Sequence, residues 1–318
     1  MLGRSTVLSD TGRRRRHNED SYICKPPLFA VADGMGGAQA GEVASGLAAA
    51  VLGEADADVG GGEERIAALI QEANRRVFQR SSEDAATSGM GTTMTVALVD
   101  GSTGTIALGH VGDSRAYRVR GGELEQLTDD HSLVGELTRS GKLSPEEAVT
   151  HPQRSVITRA LGTEPDVDVD TFTVEAEPDD VYLLCSDGLT DMISDEEILA
   201  QVAGSDDLES AARGLIDAAN AGGGEDNITV VLFQIDGAGA VDQTARMPAA
   251  TEDDEDTLSG LEAVPAVDTA VIPASEIAQL REAEPELDAK PRRRLLPLLA
   301  LVLLIVAIAV LAAWGLTR

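Results

Sequence analysis

Cysteine is nearly absent from this chain, and aromatic residues are almost as scarce. Only Cys24 and Cys185 occur, each inside an apolar, strand-like run, which excludes a disulfide framework and fits a reducing compartment. Both read as small buried hydrophobes. Ala30 and Asp191 stand six residues after them, where a cysteine phosphatase needs arginine, so a thiolate nucleophile with its phosphate-cradling loop is excluded. Aromatics make up 3% of a chain that is 43% hydrophobic, so the core must be aliphatic. Cations are few: 25 Lys and Arg face 55 Asp and Glu, a formal charge of -30, and such a surface repels the phosphates of nucleic acid. The amino terminus turns polar at Arg4 and Ser5 and lacks the apolar centre of a signal peptide.

The 318 residues suit one large or two ordinary domains, and the composition changes near Asp236. Residues 1–236 read as a folded domain. From Gly237 to Lys290 hydrophobic periodicity disappears, while Pro248, Pro265, Pro273, Pro285 and the run Glu252 to Asp256 appear. This composition predicts a disordered acidic linker, with a span of about 40 Å if flexible. Residues 291–318 follow. Leu295 to Trp314 carries no charge and, at about 1.5 Å per residue, is long enough to cross a bilayer core of about 30 Å. It is expected to be a transmembrane helix. Arg292, Arg293 and Arg294 precede it, so the positive-inside rule predicts a single-pass cell-membrane protein with residues 1–290 in the cytoplasm and the C-terminus outside.

Within the first 236 residues strands and helices segregate. Thr92 to Val99 and Thr105 to Val111 read as a hairpin, and so do Ala116 to Val119 and Leu124 to Leu127 across Gly121-Gly122. Helical patterns fall at Glu42 to Leu52, Glu63 to Gln79 and Asp207 to Ala219. This is an α+β arrangement of antiparallel sheets with helices outside, not a doubly wound parallel sheet. His131 to His151 is polar and helix-like, with Ser144-Pro145-Glu146-Glu147 as a helix start, and reads as a lid over about 129–154.

Three acids sit at the edges of apolar runs: Asp33 after Leu28 to Ala32, Asp187 after Val181 to Ser186, and Asp226 before Ile228 to Ile235. They offer hard oxygen donors with no His or Cys partner at metal spacing, which suits Mg2+ or Mn2+ and not zinc. Two such ions sharing a carboxylate would hold a water between them and make it a nucleophile toward phosphorus. Gly34 would let the backbone approach the ions. Arg15 and Glu19, four apart, share a face if their stretch is extended, so that a guanidinium could hold a phosphate while Glu19 takes metal-bound water. A one-residue slip would offer Arg16 in place of Arg15. Each of His17, His110, His131 and His151 reads as structural or surface.

The pieces Arg15-Arg16-His17-Asn18-Glu19-Asp20, Ala32-Asp33-Gly34-Met35-Gly36-Gly37, Gly41-Glu42-Val43-Ala44-Ser45, Met90-Gly91-Thr92-Thr93, Gly109-His110-Val111-Gly112-Asp113-Ser114-Arg115, His151-Pro152-Gln153-Arg154-Ser155, Cys185-Ser186-Asp187-Gly188-Leu189 and Gly224-Glu225-Asp226-Asn227 occur in one order across residues 1–236. In this the chain resembles the metal-dependent protein serine/threonine phosphatases of type 2C, the PPM family, in its bacterial, membrane-anchored form. The resemblance implies a four-layer sandwich of two antiparallel β-sheets flanked by α-helices. It implies two Mn2+ or Mg2+ ions bridged by Asp33, with Gly34, Asp187 and Asp226 completing the protein ligands and Glu19 and Asp20 close by. Asp113 would share a third ion with Asp187, Arg15 would bind substrate phosphate, and the lid would be the family's flap. Expected partners are phosphorylated proteins, among them Ser/Thr kinases and their substrates. Animal relatives have a proton-donating His where Met35 stands, so the leaving group must be protonated from elsewhere. The alternative is an inactive membrane-tethered scaffold that binds phosphoproteins, which predicts a lost ligand where none is lost. An enzyme acting on small phosphate esters would fit the same ligands.

Overall fold

A computed structural model describes residues 2–36, 40–55, 61–236 and 270–271. The rest of the expected linker, Arg292 to Arg294 and the apolar span 295–314 lie outside the described residues. Among those described, no helix is long and apolar enough to cross a membrane.

In chain order the elements are β1 (Leu2–Asp10), β2 (Asp20–Lys25), β3 (Leu28–Met35), α1 (Ala40–Glu54), α2 (Gly62–Glu83), β4 (Gly91–Thr92), β5 (Met94–Asp100), β6 (Thr105–Val111), β7 (Arg115–Arg120) and β8 (Glu123–Gln126). Then come α3 (Leu133–Arg139), α4 (Pro145–Val149), β9 (Val156–Ile157), β10 (Asp170–Glu175), β11 (Val181–Cys185), α5 (Asp187–Thr190), α6 (Asp195–Gly204), α7 (Leu208–Gly222), β12 (Ile228–Ile235) and β13 (Ala270–Val271). Local chemistry sets several boundaries. Ser144 and Ser194 each form a capping box with Glu147 and Glu197, which satisfies backbone donors at the starts of α4 and α6. Asp207 accepts from the Ser210 N–H and so starts α7.

One sheet runs β1-β12-β11-β7-β8 and the other β10-β6-β5-β3-β2, with β4 paired to β3 beside the path. All pairings in both are antiparallel. Strands buried on both faces need apolar side chains at every position, and β3 shows the division. Leu28, Ala30 and Ala32 pack under α1 and α2 with Ile66, Ile70 and Val77, while Phe29 and Val31 point between the sheets to Tyr182, Val231 and Phe233. On the far face α6 and α7 cover Leu183, Val230 and Leu232 through Ile198, Ala212 and Leu215. The layers are therefore helix, sheet, sheet, helix, as expected. Three of the few aromatics stack between the sheets: Phe29 on Phe233 at 4.2 Å and Tyr182 on Phe233 at 5.1 Å. Such a pair adds about 0.5–1.5 kcal/mol beyond its buried area.

Three details differ from the sequence reading. The two hairpins lie in different sheets, and the chain crosses between them through Gly112, Asp113 and Ser114. β1, β2, β10 and α6 were not evident, because their partly buried faces mix polar and apolar residues. β3 also continues through Asp33 to Met35, so that acid lies inside a strand and not beyond its end.

Candidate metal centre

The acids meet where the ends of both sheets come together. Asp20 opens β2 directly across from Asp33 in β3. In the other sheet, Asp187 follows β11 as the first residue of α5, and Asp226 stands just before the adjacent β12. Ser186 ties the sheets together, its hydroxyl donating to Asp20 Oδ2 at 2.8 Å while accepting from the Thr229 N–H at 3.0 Å. Asp113 enters from the β6–β7 crossing. That turn needs glycine at 112, where φ is +112° and a Cβ would lie 2.6 Å from the side chain of Thr93.

The backbone around Asp33 is clamped. The Asp33 N–H donates to Thr93 Oγ1 at 2.9 Å, and the Asp33 carbonyl accepts from the Thr93 N–H at 2.9 Å and from the Thr92 hydroxyl at 2.8 Å. Thr93 Oγ1 also pairs with Ser114 Oγ at 2.7 Å, linking the segments that carry Asp33 and Asp113. Gly34 is required by close approach: a Cβ there would lie 2.1 Å from the Gly41 carbonyl oxygen and 2.5 Å from that of Glu19. The start of α1 and the β1–β2 connection therefore both press on the residue after Asp33.

Residues 11–19 form turns and bends, so alternation along an extended stretch does not explain why Arg15 and Glu19 are neighbours. Asn227 supplies the reason. Its Nδ2 donates to the carbonyls of Thr11 at 2.9 Å and His17 at 3.0 Å, and its Oδ1 accepts from the Glu19 N–H at 2.8 Å. The Arg13 N–H donates to the Gly224 carbonyl at 2.7 Å. Held this way, Arg15 places Nη2 2.7 Å from Asp226 Oδ2, whereas Arg16 is exposed. Burial works against the charge on Arg15, but Asp226, then Glu19 and Asp33, keep its pKa above the ordinary value.

Asp20, Asp33 and Asp187 each keep some surface open, while Asp113 is 8% exposed. Burial, followed by Asp20, Asp187, Asp226 and Asp113, pushes Asp33 well above the usual carboxylate range. Burial, then Asp226 and Asp113, does the same to Asp187. Burial raises Asp20 to about 7 against hydrogen bonds from Thr229 and Ser186, and burial with Asp130 and Asp191 raises Asp113 to about 7. Crowded carboxylates of this kind call for cations. Buried Asp20 Oδ1 and Asp187 Oδ1 have no hydrogen-bond partner. All-oxygen donors with two orphaned oxygens fit Mg2+ or Mn2+, although among the described residues no three side chains already close into a ligand cage.

His110 and His131 are buried and serve structure. His131 Nδ1 accepts from the Gly112 N–H at 3.0 Å, which leaves Nε2–H to face Asp170 Oδ2 at 3.1 Å. His17 is exposed and His151 half-buried. Met35 is buried in a small cluster with Ile157 and Ala160. Beside the acids, a cavity of about 480 Å³ is lined by Asp113, Asp187, Asp191, Arg115 and Arg154 together with residues of α3 and α4. The expected flap thus stands over the Asp113 side of the centre, and Asp33 and Asp226 do not line that cavity. Thr93, Ser186 and Asn227 carry positioning roles that sequence reading missed. Their one signal was membership of the sequence pieces that carry the family resemblance.

A family profile described as Protein phosphatase 2C matches residues 14–215. The serine/threonine protein phosphatase PstP of Mycobacterium tuberculosis is 44% identical over 237 residues, which cover 74% of this chain and 45% of that protein, so the match spans less than half of that relative's length. The serine/threonine phosphatase stp of Listeria monocytogenes is 42% identical over 239 residues, covering 72% of this chain and 94% of the relative. A crystal structure of the catalytic domain of PstP in complex with two manganese ions superimposes with a TM-score of 0.69 at 40% identity, covering 74% of this chain and 99% of the other.

Proposed function

This chain belongs to the protein phosphatase 2C family, and from that membership we propose that it is a Mn2+- or Mg2+-dependent protein serine/threonine phosphatase. The observation that carries this reading is the convergence of Asp20, Asp33, Asp113 and Asp187, each raising the pKa of another or raised by burial, with Arg15 and Asp226 alongside. Two divalent ions held by Asp33, the Gly34 carbonyl, Asp187 and Asp226, with Glu19 and Asp20 near, would neutralise phosphoryl charge and activate a water.

The chain's own groups do the positioning. Arg15, fixed by its loop, presents a guanidinium whose planar fork matches a phosphate, and its contact with Asp226 holds it beside the acids. Asp33 is kept from drifting by Thr92 and Thr93. Met35 has no proton to give, so protonation of the leaving alkoxide falls to another group.

The reading extends to place and partners. The charge-free run Leu295 to Trp314 behind three arginines supports a single-pass anchor with the catalytic domain at the cytoplasmic face. There it would oppose Ser/Thr protein kinases and act on their phosphorylated substrates. Purified full-length protein is expected to release phosphate from a phosphothreonine peptide only with Mn2+ or Mg2+ present, and Asp33→Asn is expected to abolish release. Undiminished turnover by Asp33→Asn would overturn the assignment.

A further inference from the structure

The arginine run leaves three residues without a role. Arg15 reaches Asp226, but Arg13, Arg14 and Arg16 are exposed, and no carboxylate among the described residues pairs with them. The chain has more than two acids for each base, yet among the described residues none of them neutralises this run beyond Arg15. Several other arginines are captured by acids: Arg76 meets Glu54, Arg115 meets Asp130, Arg120 meets Asp180 and Arg159 meets Asp170. The three free guanidiniums are also not on a loose loop. The Arg13 N–H is tied to the Gly224 carbonyl, the Gly12 N–H to Asp10 Oδ1 at 2.9 Å, and the carbonyls of Thr11 and His17 on either side to Asn227. The fold holds four consecutive cations at the edge of the acid centre and uses one of them there.

We propose that Arg13, Arg14 and Arg16 form a cationic rim that selects phosphorylated segments bearing further anionic groups close to the phosphoresidue. This rests on the phosphatase reading and names its substrate class. Successive residues of an extended peptide advance about 3.3 Å, so with the phosphate at Arg15, groups two or three residues away fall within reach of the neighbouring arginines. The rest of the surface repels acidic segments, and a local positive edge beside the reactive centre concentrates them there by focusing the field. Carboxylate side chains or a second phosphate would supply the anion.

The test uses the full chain with Mn2+ and phosphothreonine peptides of equal length whose flanks are acidic, neutral, or neutral with a second phosphothreonine, alongside a small aryl phosphate. Wild type is expected to favour one or both anionic peptides over the neutral one, with the advantage shrinking as salt is added. The variant Arg13→Gln/Arg14→Gln/Arg16→Gln should lose about tenfold in kcat/KM on the favoured peptide, about 1.4 kcal/mol, and stay within about twofold on the aryl phosphate, which has no flanking groups for exposed charges to meet. The Lys counterparts should retain most of the preference. Which anionic peptide is favoured identifies the source of the anion. Equal treatment of all peptides by wild type, or losses on the neutral peptide and the aryl phosphate in the Gln variant as large as the loss on the favoured peptide, would overturn the rim while leaving the phosphatase reading intact. Absence of phosphate release from every substrate would instead remove that reading, and the rim with it.

Discussion

Thr93 holds Asp33 by both backbone polar atoms, its Oγ1 accepting the Asp33 N–H at 2.9 Å and its N–H reaching the Asp33 carbonyl at 2.9 Å. Thr93 is 1% exposed, so no water can replace its hydroxyl. Thr93→Val keeps the shape and removes the acceptor, leaving a buried donor unsatisfied. The variant is expected to lose about 1–3 kcal/mol of stability in denaturant unfolding, and its turnover should fall through weaker metal retention, read as a higher Mn2+ concentration for half-maximal activity. Unchanged metal dependence would show that the clamp does not position Asp33.

Asn227 is 3% exposed and makes three hydrogen bonds to the loop that carries Arg15 and Glu19. Asn227→Ala should raise KM for phosphopeptide and lower kcat together, because the guanidinium loses its fixed aim. Steady-state kinetics on a phosphopeptide would check this, with a defect confined to thermal stability counting against a positioning role.

The crowded carboxylates predict a large response to metal. Mn2+ at about a hundred times its dissociation constant should add about 2.7 kcal/mol, and for a domain of this size that is roughly 5–10 °C in Tm. Chelator should reverse the shift, and Asp187→Asn should shrink it. A thermal melt that ignores Mn2+ would contradict the ligand set.

His110 gives a pH dependence. Burial, then the neighbouring His131, pushes it down from 6.5 to about 3, against Asp170 and backbone contacts at Asp129 and Gly112. Its folded pKa lies below its unfolded value, so between these pH values the unfolded chain binds the extra proton. The stability kept by a neutral His110 is present above about pH 6.5 and is lost as pH falls, at about 1.4 kcal/mol per unit. The destabilisation measured for His110→Gln at pH 7.5 should therefore shrink steadily between pH 6 and pH 4.5. A difference that stays constant with pH would refute the buried neutral imidazole.

Much of the fold was legible because patterns declared it. β12 runs from Ile228 to Ile235 as its largely apolar stretch implies, and α2 carries Ile66, Ile70, Ala73 and Val77 on its buried face at helical spacing. β1 was not legible, since Arg4, Ser5 and Ser9 interrupt it and only pairing with β12 makes it a strand. Arg15 and Glu19 do lie near each other, but not for the reason the sequence suggested. A loop pinned by Asn227, distant in sequence, brings the two together where strand alternation was expected to.

By itself the sequence determined which chemistry was available. It supplies acids at the ends of apolar runs, no usable cysteine, an arginine cluster and a hard-donor preference, because side-chain identity alone fixes donor type and charge. Tertiary structure decided which groups share a site and in what electrostatic state. Asp20 faces Asp33 only through the register of β2 on β3, and Ser186 reaches Asp20 only because the two sheets meet there. The raised carboxylate pKa values follow from burial and mutual proximity, quantities that depend on packing across long sequence separations and that no local pattern encodes.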